Sequence, residues 1–379
     1  MKSLSQDIKE EAVALTKEAL VFDVYTCSPQ LRWTEKTGWF SRFGNIQMDL
    51  PKMIEGGIDA AGFSLWWGPT QNIFRPGVNW LGSMGELDFD KPDWYVFSWP
   101  SDPYLPYKYE DYMRSPLAWA MMQYELWMRE VEASNGKMVL TKTASEVVQA
   151  EKEGKIGVMI HGNNIIMIED CLDVLRVLYR LGYRMMILGR LGRNLVADGY
   201  CENRTKSRLT TFGVGVVEEM NRLGMLIDVS HLSDSCTYDV VEVSKDPVIA
   251  SHSNSRALCN HPRNLTDDQL KALTEKGGKV GLTFVPSFID LKAEKEKRGY
   301  DVESPLFQKF LDHCDHFADV IGVDSIMIGS DFDGGGTLLK DASEMPKITE
   351  GLLSRGYSKQ NIKKILGENA LSIIKKVIG

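Results

Sequence analysis

Residues 224–231 read Gly-Met-Leu-Ile-Asp-Val-Ser-His, and residues 247–252 read Pro-Val-Ile-Ala-Ser-His. In each, a short apolar run ends in a serine and a histidine. A run of this length, bounded by turn residues, reads as a buried parallel strand covered on both faces. Such runs recur at 19–25, 58–66, 155–161, 185–188, 225–229, 248–251, 280–284 and 325–329. Helical patterns fall between them, most clearly at 170–182, 213–223 and 305–321, and residues 5–18 form an amphipathic helix ahead of the first run. Eight strands with helical crossovers predict an α/β chain closed into a (β/α)8 TIM barrel; an open doubly wound sheet is the alternative.

The 379 residues fit one such barrel, 1–379, because barrels of this class run well past 250 residues as a single domain. A 43% hydrophobic composition supplies a large core and excludes a disordered chain. The net charge of −8 argues against a nucleic-acid binder, which would carry a basic face. No stretch is long and apolar enough to span a membrane, and residues 1–11 lack the apolar core of a secretory signal. These features predict a cytoplasmic protein. The six cysteines show no CxxC pair and read as reduced thiols.

One stretch breaks the rhythm. Residues 67–113 carry Trp67, Trp80, Trp94, Trp99 and many prolines, and they follow the second strand. Loops after barrel strands lie over the active-site face, so this insertion reads as an aromatic lid, with a disordered loop and a dimer-packing patch as the alternatives.

Polar residues mark where chemistry sits. His231, His252 and Asp331 each lie just past the C-terminal end of a predicted strand, the edge where catalytic groups of a barrel converge. Histidine there can bind a metal or move protons near neutral pH. Asp333-Gly334-Gly335-Gly336 lacks a phosphate-loop lysine and reads as a turn, and the charged run 292–298 reads as a solvated helix face. His313 and His316 fall on a helix and read as packing or surface residues.

Taken together, these motifs resemble the renal (membrane) dipeptidase family of the amidohydrolase superfamily, in its bacterial branch. The matching stretches are 224–231, 247–258, Asn-His-Pro-Arg-Asn-Leu at 260–265, Ile-Gly-Ser-Asp-Phe-Asp-Gly at 328–334 and Ile-Leu-Gly-Glu-Asn-Ala-Leu at 365–371. The resemblance implies a two-zinc dipeptidase in which His231 and His252 bind one zinc. Asp331 would bind the other and shuttle protons, and Arg263 would hold the substrate carboxylate, a task suited to a fixed guanidinium fork.

The chain departs from that pattern at the metal. The family's His-x-Asp after the first strand is replaced by Tyr25 and Cys27. Its bridging Glu falls on Asn163 or on His161, depending on how the strand end is aligned, and a substrate-side His becomes Arg190. Of three carboxylates facing two zinc ions, Asp331 alone remains. The expectation is therefore a degraded binuclear centre with at most one zinc, at His231 and His252, with Cys27 or His161 as further donors. Arg190 reads either as a substitute for the lost metal charge or as a solvated rim residue. Asp331 and Arg190 are the expected catalytic pair; Arg263, Asn163 and Tyr25 are expected to touch the substrate. The expected activity is hydrolysis of a small dipeptide or N-acyl amino acid. The alternatives are metal-free chemistry in the same pocket and a non-catalytic protein that binds a carboxylate ligand. Family members often form dimers, so a homodimer is expected.

Overall fold

The computed structural model describes residues 4–27, 40, 46–65, 115–293 and 298–379. Nine parallel strands form its sheet: β1 (Phe22–Thr26), β2 (Ala60–Leu65), β3 (Met138–Leu140), β4 (Ile156–Gly162), β5 (Tyr183–Ile187), β6 (Leu226–Asp228), β7 (Ile249–Ala250), β8 (Lys279–Leu282) and β9 (Ile326–Ile328). The order β2-β1-β9-β8-β7-β6-β5-β4 closes on itself through β2–β4 pairing, which makes an eight-stranded barrel. All eight predicted runs lie on its strands, and the open sheet is excluded. The ninth, β3, is an accessory: it pairs with Ile156–Val158 at the start of β4, on the edge that β5 takes over from Ile160 onward.

The apolar runs close the barrel because both faces of the sheet are covered. Inside, Phe22, Val24, Ala60, Met159, Met185, Leu226, Ile249 and Met327 form one cluster, joined by Val147, Ile373 and Ile374 from two helices. A larger cluster fills the layer between strands and surrounding helices, including Phe63, Trp127, Phe284, Phe310 and Phe317. Helix Pro305–Ile321 begins with proline after the Ser304 cap, as its sequence predicts. The C-terminal segment is tied to the strands by Asn369, whose Nδ2 donates to the carbonyls of Val323 and Ile326 at 2.8 Å each.

The expected insertion at 67–113, with Trp67, Trp94 and Trp99, lies outside the described residues, as do 294–297 of the charged run. Lys292 and Ala293 sit in a turn, so that part of the run is not helical. All six cysteines are free; four are buried, Cys201 is half-buried and Cys171 is exposed. Among the described residues no helix is long and apolar enough to cross a membrane.

Candidate active site

The C-terminal ends of the strands bring the flagged side chains together. His231 follows β6 and His252 follows β7, and their Nε2 atoms face each other at 3.0 Å. Tyr25, in β1, lies flat on His252, with ring centroids 3.8 Å apart and planes 9° from parallel. The same ring meets His161 of β4 edge-on at 5.3 Å. Cys27 Sγ lies 3.5 Å from both the Tyr25 hydroxyl and Asp331 Oδ1, and Ser64 Oγ donates to it. Arg263 Nη2 donates to the His252 carbonyl at 3.2 Å, and its guanidinium lies over the rings of Phe288 and Tyr200, at 5.3 and 5.9 Å.

Two of these residues hold a backbone that L-residues rarely adopt. His231 has φ 72° and Asp331 φ 58°, both left-handed, and Asp333 follows with φ 61°. Such conformations cost about 1–3 kcal/mol and persist where the surroundings over-determine them. Around Asp331 that support is visible: its N–H donates to the Tyr25 carbonyl, and its own carbonyl accepts from Gly334 and Gly336. The run 333–336 is thus the turn that the sequence predicts.

Burial governs the electrostatics. His231 and His252 are both held well below the ordinary imidazole range by burial, reinforced by Arg263, so both are neutral at pH 7. Burial pushes the Cys27 thiol up to about 12, and the Asp331 carboxyl up to about 7 even though Arg263 and Arg190 pull it down. Arg190 is 7% exposed, which removes the solvated-rim reading; its charge acts on Tyr25, Cys27 and Asp331 inside the site.

His161 and Asn163 differ in their settings. His161 Nε2 is 3.1 Å from Asp228 Oδ2, but neither ring nitrogen makes a well-aligned hydrogen bond. Both amide atoms of Asn163, fully buried just past β4, lack a hydrogen-bond partner. Orphaned buried groups are costly unless a ligand satisfies them. His313 is structural: it accepts from the Ser255 N–H at 3.1 Å and contacts the Ile289 carbonyl, also at 3.1 Å.

Three residues escaped the sequence reading: Asp228, Ser251 and Tyr200. Asp228 is fully buried at the end of β6, and the contact with His161 and the Ser251 hydroxyl outweigh desolvation to hold its carboxyl below the usual range. The available signal was a charged residue inside an otherwise apolar strand.

The donor set can be tested against a zinc centre. Two facing imidazole nitrogens match two ligands of a catalytic zinc, which normally takes three from the protein. Among the described residues there is no group of three or more His, Cys, Asp or Glu that could hold a metal. Among the described residues the two histidines are one ligand short of that number.

Comparison with known proteins places this chain in a family. Residues 9–378 match the model of the membrane dipeptidase family, peptidase family M19. The chain belongs to that family. It is 35% identical over 261 residues to dipeptidase verJ of Clonostachys rogersoniana and 32% over 259 residues to dipeptidase tcpJ of Claviceps purpurea. These matches cover 68% and 67% of this chain but only 64% and 59% of the relatives' lengths. Among solved structures, a metallopeptidase from Rhodobacter sphaeroides, liganded with a phosphinate mimic of L-Ala-D-Ala, superposes with a TM-score of 0.78 at 26% identity, covering 95% of this chain and 99% of that one. The probable dipeptidase PvdM of Pseudomonas aeruginosa shares the fold, with a TM-score of 0.80 at 22% identity, covering 98% of each chain.

Proposed function

We propose that this chain is a dipeptidase-like enzyme acting on a small dipeptide or N-acyl amino acid, its two-metal centre reduced to at most one zinc. The observation that carries the reading is the facing Nε2 pair of His231 and His252 beside the buried Arg263. Arg263 would take the substrate carboxylate, and its packing against the Phe288 and Tyr200 rings limits the freedom it loses on binding. The Asn163 amide would pair with the scissile amide's neighbours, satisfying its own orphaned atoms. Asp331, flanked by Arg190, would hold or pass a proton at its carboxylate, and Tyr25 would line the pocket where it covers His252.

A second reading is metal-free chemistry, or carboxylate binding without turnover. It is favoured by Tyr25 and Cys27, uncharged side chains at the positions where the family resemblance places a His and an Asp. Either way the reading is of a cytoplasmic homodimer with a small-molecule ligand and neither nucleic acid nor membrane as partner.

Metal analysis of the purified chain, combined with a hydrolysis screen of dipeptides and N-acyl amino acids, tests this. One zinc per chain with turnover supports the first reading. Turnover without metal, or saturable binding without turnover, supports the second. Two tightly held zinc ions per chain would overturn both.

A further inference from the structure

Two buried aspartates in this barrel do the same thing on different strands. Asp228 Oδ1 accepts from the N–H of Ser230 at 2.9 Å and of Ser251 at 3.0 Å, while its Oδ2 accepts from the Ser251 hydroxyl. Asp23 Oδ1 accepts from the N–H of Tyr25 at 3.3 Å and of Ser330 at 2.9 Å, while its Oδ2 accepts from the Ser330 hydroxyl. The register is also the same: Asp228 pairs with Ile249 and Asp23 with Ile328, and in each neighbour the clamped serine stands two residues further on. Each serine immediately precedes a site residue, His252 or Asp331.

The two clamps differ in what the serine meets next. Ser251 Oγ lies 2.7 Å from Nδ1 of His252, its own neighbour. A serine hydroxyl has one hydrogen, and here Asp228 receives it. What Oγ offers to Nδ1 is then a lone pair, so Nδ1 must carry the ring proton, and Nε2 must carry the lone pair. Facing it at 3.0 Å, His231 Nε2 becomes the donor, which leaves His231 Nδ1 without a proton; that atom is buried and has no partner. Ser230 Oγ accepts the His252 N–H at 3.2 Å and lies 3.3 Å from Ser251 Oγ, an arrangement that leaves the same polarity intact. The serine's backbone is closely packed: a Cβ on Gly281 or Gly329 would fall 1.9 or 1.8 Å from the Ser251 carbonyl oxygen, so it is seated against both glycines.

We propose that Asp228 and Ser251 are positioning residues, a relay that fixes His252 as its Nδ1–H tautomer and so presents the Nε2 lone pair to His231 and the pocket. The Asp23–Ser330 pair is the same clamp without the relay, and orients Asp331 alone. The relay acts in the metal-free chain, whichever reaction the pocket performs.

The test is nitrogen-15 NMR of the histidine-labelled full chain, stripped of metal by a chelator. The expected wild-type signature for His252 is a protonated Nδ1 and an unprotonated Nε2. Asp228→Asn should invert it. The two amides at Oδ1 hold the carbonyl of the new side chain, which turns its NH2 toward Ser251; the hydroxyl then donates to Nδ1 and the proton moves to Nε2. Ser251→Ala should give a mixture of tautomers, Ser251→Thr should restore the single form, and Ser330→Ala should leave His252 unchanged. An Nε2–H signature for His252 in the wild-type chain overturns the proposal, even if the variants fail to fold. So does an unchanged signature in a folded Ser251→Ala chain.

Discussion

The phenol ring of Tyr25 lies flat against the imidazole of His252, 3.8 Å between centroids. The pair joins β1 to the end of β7 across the mouth of the barrel, and Tyr25 is 1% exposed. Stacked pairs of this kind contribute about 0.5–1.5 kcal/mol beyond area burial. Tyr25→Phe keeps the stack and gives up the hydroxyl's contact with Cys27 Sγ, so urea unfolding should show a loss of less than about 1 kcal/mol. Tyr25→Ala opens a cavity and should cost about 3–5 kcal/mol. Equal losses for the two variants would mean that the hydroxyl, not the ring, holds the site together.

Arg263 is fixed by Phe288, Tyr200 and the His252 carbonyl. Lysine at 263 would keep the charge but lose the planar fork. Arg263→Lys should therefore weaken binding of a dipeptide carboxylate by about 10- to 100-fold, the worth of one or two charge-assisted hydrogen bonds. Calorimetric titration measures this, and unchanged affinity would remove Arg263 from the carboxylate-binding role.

His231 carries its imidazole on a left-handed backbone, φ 72°. Glycine tolerates that conformation and alanine does not. His231→Gly should be more stable than His231→Ala by about 1 kcal/mol, the reverse of their usual order, as read from denaturant midpoints. The ordinary order would show that the backbone relaxes once the side chain is gone.

These relationships set what could be read from the chain alone. The eight barrel strands were legible because buried parallel strands are near-continuous apolar runs. β3 was not, because its apolar run, Met138–Leu140, is only three residues between Lys137 and Thr141, shorter than any of the runs that read as strands. His231, His252 and Asp331 were legible as polar residues closing such runs. Asp228 and Ser251 were not: a residue's grip on the next strand depends on register, and Asp228 meets Ser251 only because it pairs with Ile249. The two alignments of the bridging position, His161 and Asn163, could not be separated by counting either. Their surroundings differ instead, since His161 leans on Asp228 while the Asn163 amide has no partner.

Asp59 makes stability depend on pH. Its carboxylate accepts the Val21 N–H at 2.9 Å, and burial pushes its pKa up to about 6. The unfolded value is about 3.9. Between roughly pH 4 and pH 6 the folded chain holds a proton that the unfolded chain has released, so stability falls as pH rises through this window and is flat above it. The full loss is at most about 3 kcal/mol, since a tenfold change in proton affinity corresponds to about 1.4 kcal/mol. Asp59→Asn keeps an acceptor for Val21 and removes the titration. The wild-type-minus-variant difference in unfolding free energy should decline between pH 4 and 7, which cancels the same-signed contribution of Asp23, itself raised to about 7 by burial. A difference that stays constant across that range would rule out the coupling.

If the centre is reduced because its donors are gone, restoring them should restore uptake. Tyr25→His and Cys27→Asp return the two donors that the family resemblance places there. The bridging carboxylate is best returned at 163. Asn163 is buried with its amide unpaired, so Glu replaces no existing bond. A Glu at 161 would instead face the Asp228 carboxylate, 3.1 Å from where His161 Nε2 now sits, and two unneutralised carboxylates there repel. The triple variant with Glu at 163 should take up more zinc than the wild-type chain, approaching two ions. The triple variant with Glu at 161 should be less stable before metal is added. Adding His231→Ala and His252→Ala to the wild-type background should remove any zinc it holds while circular dichroism shows the barrel intact. Losing three inner-sphere donors should cost more than the roughly 10- to 100-fold typical of losing an outer-sphere partner, so the difference is within reach of competition titration against a chelator. Wild-type uptake equal to that of the triple variant would show that Tyr25, Cys27 and Asn163 do not limit the metal site.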